Sequence, residues 1–274
     1  MPRPSIPVLC GSIMGEPFTF NVKVHNAAYR ALGLDYTFVC FGVDDVAGSI
    51  RGLRALGIRG MNVSMPHKQA VIPHLDALDA TARDIGAVNT IDNRDGVLTG
   101  YNTDCIGAVR AVREAVPDLN GQRIALLGAG GAARAIAYGL RNAGAKVTVF
   151  NRTVPKAEAL AKDFGIDCGG AIDAFDADRF DGLVNATAAG FRSADASPVA
   201  ADRLAPHLFV MDAAFIPVRS RLIRDAEALG CRAVDGTRMM LHQACGQVEL
   251  YTGGKTPPIE AMSAALLSEI ERIG

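Results

Sequence analysis

Short β-branched runs alternate with longer stretches rich in Ala and Leu along most of the chain, the pattern expected where helices join parallel strands. In the first third this pattern predicts a helix over residues 22–32, a strand over 36–41, a helix over 44–56 and a strand over 60–65. Pro66 is then expected to open another helix, at a position where its missing N–H costs nothing. Ahead of these elements, residues 1–15 hold only the short apolar runs 6–10 and 13–14, broken by Gly and Ser. No secretory signal is expected from them.

From Ile85 the pattern changes to short extended pieces at residues 88–91 and 97–101, joined by Asn93-Arg94-Asp95-Gly96, a good hairpin turn. A helix over 104–116 follows, then a segment rich in turn formers, Pro117-Asp118-Leu119-Asn120-Gly121. Beyond it strands are predicted at 123–127, 146–150, 182–186, 208–212 and 231–234, which with intervening helices make one doubly wound sheet. The chain closes with helices over 238–251 and 260–273.

The 274 residues suit two domains, and 49% hydrophobic with 21% charged residues argues against disorder. With 28 Lys and Arg against 29 Asp and Glu, the net charge of -1 provides no basic field for nucleic acid or an anionic membrane. No apolar stretch is long enough for a membrane helix, so a cytoplasmic protein is expected. Cys10, Cys40, Cys105, Cys168, Cys231 and Cys245 stand singly, as buried inert thiols do, and the five histidines lack metal-ligand spacing. No metal is expected.

Directly after the strand Ile124-Ala125-Leu126-Leu127 stands Gly128-Ala129-Gly130-Gly131-Ala132-Ala133, followed by an Ala-rich helical stretch. Strand, glycine turn and helix in that order suit a dinucleotide pyrophosphate: the glycines admit it, and the helix N-terminus offers N–H groups and a positive dipole end. The next strand is followed by Asn151-Arg152-Thr153, 23 positions after Gly128, where an NAD-binding unit would carry an acidic residue for the ribose hydroxyls. A guanidinium with an amide and a hydroxyl suits a 2′-phosphate, so NADP is favoured over NAD.

Two segments carry more chemistry than folding requires. Asn62-Val63-Ser64-Met65-Pro66-His67-Lys68 places a lysine in the first turn of the expected helix, against its dipole, and Gly100-Tyr101-Asn102-Thr103-Asp104 places a carboxylate at a helix start, where an N-cap role would also suit it. Together with Ile85-Gly86-Ala87-Val88-Asn89-Thr90, the Gly128 cluster, Asn151-Arg152-Thr153, Asp235-Gly236, Met240-Leu241 and Gln243, these segments make the chain resemble the shikimate dehydrogenase family from about Val24 to Gly253.

The resemblance implies an α/β fold of two domains. One is an N-terminal α/β substrate-binding and catalytic domain over residues 1–105, completed by C-terminal helices over 238–274; the other is a Rossmann NADP-binding domain over 106–237. It implies a role in aromatic amino acid biosynthesis, a small hydroxy-acid substrate, and a monomer or homodimer. Lys68 and Asp104 are then the catalytic pair, Ser64, Asn89 and Gln243 touch substrate hydroxyls, and Thr187 and Gly236 join the glycine cluster at the cofactor. Lysine can take a hydroxyl proton once burial makes its charged form less comfortable.

Family members carry Ser-x-Ser-Pro-x-x-His-Asn near the N-terminus, where the two serines hold the substrate carboxylate; this chain has Thr19-Phe20-Asn21-Val22-Lys23-Val24-His25-Asn26. Thr19 keeps one hydroxyl and Asn21 replaces the other serine. A usual tyrosine is replaced by Phe215, which removes a hydroxyl. The reading is a divergent, NADP-dependent dehydrogenase of shikimate or a related cyclic polyhydroxy acid. An NAD-preferring quinate and shikimate dehydrogenase and a non-catalytic nucleotide or hydroxy-acid sensor stand as alternatives.

Overall fold

The structure is a computed structural model that describes residues 6–15 and 19–273; residues 1–5, which carry part of the N-terminal reading above, lie outside the described residues. The chain divides into two compact units, one of residues up to Thr103 with Gln243–Ile273, the other Asp104–His242. Among the described residues no helix is long and apolar enough to cross a membrane.

The first unit contains β1 (Val8–Met14), α1 (Phe20–Ala31), β2 (Tyr36–Gly42), α2 (Val46–Ala55), β3 (Gly60–Val63), β4 (Ala77–Leu78), α3 (Ala80–Ile85), β5 (Thr90–Arg94) and β6 (Val97–Tyr101). They form a six-stranded sheet in the order β2-β1-β3-β5-β6-β4. The first three strands run parallel, and β5 is antiparallel to both of its neighbours. The sequence pattern did not announce β1, because a strand buried between two parallel neighbours has no polar alternation. Gly11 and Ser12, which interrupt its apolar run, belong to the pairing itself: a Cβ on Gly11 would come within 3.0 Å of Phe41 and the Val39 carbonyl. The hairpin between β5 and β6 closes as expected, with Asp95 at φ 52° and Gly96 at φ 85°, the left-handed pair of a type I′ turn.

The helix expected to open at Pro66 does not form. Residues 65–71 make consecutive turns that end in a short 3-10 turn, Ile72–His74. The Lys68 carbonyl, which a helix would bond to Ile72, instead accepts from Val88 N at 2.8 Å, while Ile72 N bonds Gln69 O at 3.1 Å. Pro73 removes the next donor. Lys68 therefore meets no helix dipole there, contrary to the expectation from the sequence.

The second unit begins with α4 (Thr103–Ala115), followed by β7 (Arg123–Leu127), α5 (Gly131–Asn142), β8 (Lys146–Phe150), α6 (Val154–Phe164), β9 (Asp167–Gly170), β10 (Gly182–Asn185), β11 (Phe209–Asp212), α7 (Arg221–Ala228), β12 (Arg232–Val234) and the start of α8 (Gly236–Tyr251). Its strands are all parallel, in the order β12-β11-β10-β7-β8-β9. That is the doubly wound arrangement expected from the sequence. Ile124 to Leu127 of the central β7 are fully buried, as strands covered on both faces must be. The remainder of α8 and α9 (Ile259–Ile273) return to the first unit, where α9 lies against α1.

Candidate functional site

In the second unit the chain turns back at β7: β8 and β9 lie to one side of it and β10 to the other. A cavity of about 500 Å³ opens at that switch point, lined by residues that follow these strands, among them Gly128, Ala129, Gly130, Asn151, Arg152, Thr153 and Thr187. Gly128 has φ 111°, and a Cβ there would sit 2.8 Å from the Ala186 carbonyl, so only glycine lets the β7 turn pass this close. Gly130 begins α5 without a side-chain cap, and a Cβ on Gly130 or Gly131 would meet nothing within 4 Å. The space before the helix N-terminus is therefore open to a phosphate. Gly131 and Ala132 form the exposed first turn beside the cavity.

Arg152 and Lys156 both line this cavity, and among the described residues none that lines it is acidic. The Asn151 side chain donates to Thr153 O at 2.9 Å, which fixes the turn between β8 and α6. Lys156 was missed in the sequence reading, although its place four positions after Arg152, at the start of the next helix, could have pointed to it.

The wall beyond β10 is held by side chains. Asn185 donates to Asp212 at 2.8 Å and accepts from Thr187 N at 2.9 Å and from the Thr187 hydroxyl at 2.7 Å. That hydroxyl accepts in turn from Ala189 N at 3.1 Å. Asp212 is fully buried, and burial pushes its carboxyl up against the hydrogen bonds from Ser220, Ala214 and Asn185. Phe215 and Gly236 do not line the cavity. The Phe215 ring packs on Phe191 with centroids 5.3 Å apart, and a Cβ on Gly236 would come within 2.4 Å of the Ala214 carbonyl.

In the first unit, Asn89 is the centre of a buried polar cluster. Its side-chain oxygen accepts from Thr103 N at 2.8 Å and the Thr90 hydroxyl at 2.7 Å, and its amide donates to the Thr103 hydroxyl at 3.0 Å and to Gln243 at 3.5 Å. Backbone bonds bring the segment after β3 beside it: Val63 N donates to Asn89 O and Val88 N to Lys68 O, each at 2.8 Å. Ser64 and Lys68 are half-buried there. His67 between them is buried, and its Nε2 has no hydrogen-bond partner among the described residues.

Gln243, Gln247 and Tyr251 recur at helical spacing along one face of α8. Asn62 donates to Gln247 at 2.8 Å, Gln247 donates to the Thr90 hydroxyl at 3.2 Å, and the Tyr251 hydroxyl donates to Asn62 at 2.6 Å. Gln247, buried at the middle of this set, was not anticipated; the four-residue spacing from Gln243 was the available signal.

Thr19 and Asn21 stand at the start of α1, and the Thr19 hydroxyl donates to Glu269 of α9. Asp104 is the second residue of α4 rather than its N-cap, since the helix already begins at Thr103. Asp104 is buried and belongs to the second unit, whereas Lys68 belongs to the first. Among the described residues no group of three or more His, Cys, Asp and Glu is arranged to hold a metal.

Three family models match the chain: the shikimate dehydrogenase substrate binding domain over residues 13–91, shikimate / quinate 5-dehydrogenase over 110–190, and the shikimate 5'-dehydrogenase C-terminal domain over 236–267. The shikimate dehydrogenase (NADP(+)) of Pyrococcus abyssi is 41% identical over 266 residues, which covers 96% of this chain and 97% of that one. A crystal structure of a shikimate dehydrogenase in complex with NADP+ superposes with a TM-score of 0.91 at 37% identity, over 96% of each chain. The ligand-free 5-ketofructose reductase of Gluconobacter sp. strain CHM43 superposes with a TM-score of 0.89 at 34% identity, over 98% of this chain and 99% of that one.

Proposed function

Since the chain belongs to the shikimate dehydrogenase family, we propose that it is an NADP-dependent oxidoreductase that interconverts shikimate, or a closely related cyclic polyhydroxy acid, and its 3-dehydro ketone. The observation that carries the cofactor assignment is the cavity of the second unit, which holds a guanidinium and an ammonium, among the described residues no carboxylate, and an uncapped helix N-terminus cleared by glycines. Arg152 and Lys156 hold the 2′-phosphate, and the turn from Gly128 to Ala132 holds the pyrophosphate. Thr187, positioned by Asn185, borders the same cavity. Gly236 acts at one remove, by letting α8 start against the Ala213-Ala214 backbone.

NADP, when bound, supplies the acceptor for the hydride that leaves the substrate carbon. Lys68 takes the proton from the substrate hydroxyl, and its ammonium polarises the carbonyl in the reverse direction. Asp104 is the second member of the catalytic pair and accepts from a substrate hydroxyl. Asn89 and Gln243 read the ring hydroxyls, and the bonds that Thr103 and Thr90 make to Asn89 fix which of its amide atoms donates. Ser64, Thr19, Asn21 and Phe215 complete the substrate side. In this reading the second unit binds the cofactor, while Lys68 and the amides that read the ring hydroxyls belong to the first.

A matrix of NADP and NAD against shikimate, quinate and related acids, followed by the absorbance of reduced nicotinamide, tests this. Turnover of shikimate with NADP well above that with NAD is expected. NADP bound without turnover of any hydroxy acid would leave the sensor reading in its place. A second reading, an uncharged keto sugar of the kind named for the Gluconobacter reductase, is favoured by one observation, the engagement of Thr19 by Glu269.

A further inference from the structure

The start of α1 meets a buried charge carried by α9. Glu269 of α9 is 3% exposed and accepts the Thr19 hydroxyl together with Arg272 Nε at 2.9 Å and Nη2 at 2.7 Å. Arg272 Nη2 also donates to the Thr19 hydroxyl at 3.3 Å. A hydroxyl has one proton to give and two lone pairs to receive with. The Thr19 proton is committed to Glu269, so towards any further group Thr19 can only accept.

A substrate carboxylate is acceptor-only and needs donors. Arg272 directs its Nε and Nη2 hydrogens to Glu269 and Thr19, and its charge is matched by that carboxylate. The hydrogen bonds from Arg272, then from Thr19, hold the Glu269 carboxyl down at about 2, so it stays charged throughout the working range. What an acid meets beside Thr19 is a carboxylate already paired with Arg272 and a hydroxyl turned the wrong way. Asn21 is left as the single donor side chain of the pair.

Resting on the assignment of Thr19 and Asn21 to the substrate side, we propose that Glu269 is a specificity-determining residue. By taking the Thr19 proton it leaves the pocket to recognise ring hydroxyls rather than a carboxylate, and an uncharged cyclic polyhydroxy compound is accepted as readily as the acid. Glu269 acts through Thr19 and is a positioning residue. A glutamine at 269 has nearly the same shape, keeps an oxygen for Arg272, and offers an N–H₂ that donates to Thr19. The Thr19 proton is then released to a substrate carboxylate.

The experiment compares kcat/KM for shikimate and for its methyl ester, which keeps the ring hydroxyls and loses the charge, with NADP as cofactor. The wild-type acid-to-ester ratio is expected within about fivefold of unity. Glu269→Gln should raise it by about tenfold or more, through KM rather than kcat, the size of one charge-assisted hydrogen bond. Adding Thr19→Val to Glu269→Gln should erase the gain, which a merely structural role would not require. If Glu269→Gln fails to fold, Glu269→Ala takes its place, and adding Thr19→Val to it separates the freed Thr19 proton from the freed Arg272 donors. A ratio unmoved by the substitution, or a wild-type preference for the acid beyond about fivefold, overturns the proposal while leaving the family reaction intact. If neither compound is turned over, the functional reading itself falls, and this inference with it.

Discussion

In the second unit the walls of the cavity are largely backbone: glycines after β7, a turn after β8, and a loop after β10 whose shape Asn185 and Asp212 fix from beneath. In the first unit the corresponding work falls to side chains. Asn89, Thr90, Thr103 and Gln247 satisfy one another in a buried polar cluster with half-buried Gln243 at its edge, and β3 and β5 are the rails that carry it. A phosphate is the same in every dinucleotide, and a backbone cradle suffices to hold it. A particular ring of hydroxyls has to be read by donors and acceptors whose placement depends on each residue in the cluster.

The comparison breaks most sharply at Lys68. Lys68→Ala should lower kcat by about 10²- to 10⁴-fold, as loss of a general base does, measured by initial rates at saturating NADP.

Acid separates the two units next. His25 is fully buried in the first unit, stacked on Phe38 at 4.2 Å, and burial lowers it from 6.5 to about 4. The folded state therefore keeps it neutral while the unfolded chain takes up a proton below pH 6.5. Its contribution is intact above that value and is lost as the pH falls towards 4, a loss of about 3 kcal/mol for the shift cited. Urea unfolding at pH 7 and pH 4.5 should show this loss in wild type and a flatter dependence in His25→Gln.

Glycine substitutions then sharpen what backbone walls mean. Gly128→Ala forces φ 111° on an alanine and drives its Cβ towards Ala186, so about 2 kcal/mol or more of stability should go together with cofactor affinity. Gly130→Ala points its methyl into open space. There the melting temperature should hold while NADPH binds more weakly. The smallest expected effect is at the 2′-phosphate: Arg152→Ser should lower kcat/KM for NADP by about tenfold and leave that for NAD unchanged, with Lys156→Ala a milder version of the same.

The same contrast explains what was legible in the sequence. The second unit repeats one unit of strand and helix, so its strands at residues 123–127 and 146–150 could be read to the residue, as could the glycine turn between them. The first unit mixes parallel and antiparallel pairing. There β1 passed unseen because burial of Cys10 to Met14 between two parallel neighbours erases polar alternation, and at Pro66 the Lys68 carbonyl goes to Val88, twenty residues away, instead of closing a helix. The motif residues of the site were legible through the family resemblance. Lys156, Gln247 and Glu269 were not, since each acquires meaning only from what lies beside it: a cavity wall, a buried amide, and the one proton of Thr19.

The central claim is that the second unit binds the cofactor without help from Lys68 of the first, and NADPH titration of Lys68→Ala tests it most directly. The account expects a dissociation constant within about twofold of wild type, followed by NADPH fluorescence, in a protein that has lost turnover. A loss of NADPH affinity in step with the loss of turnover would contradict it.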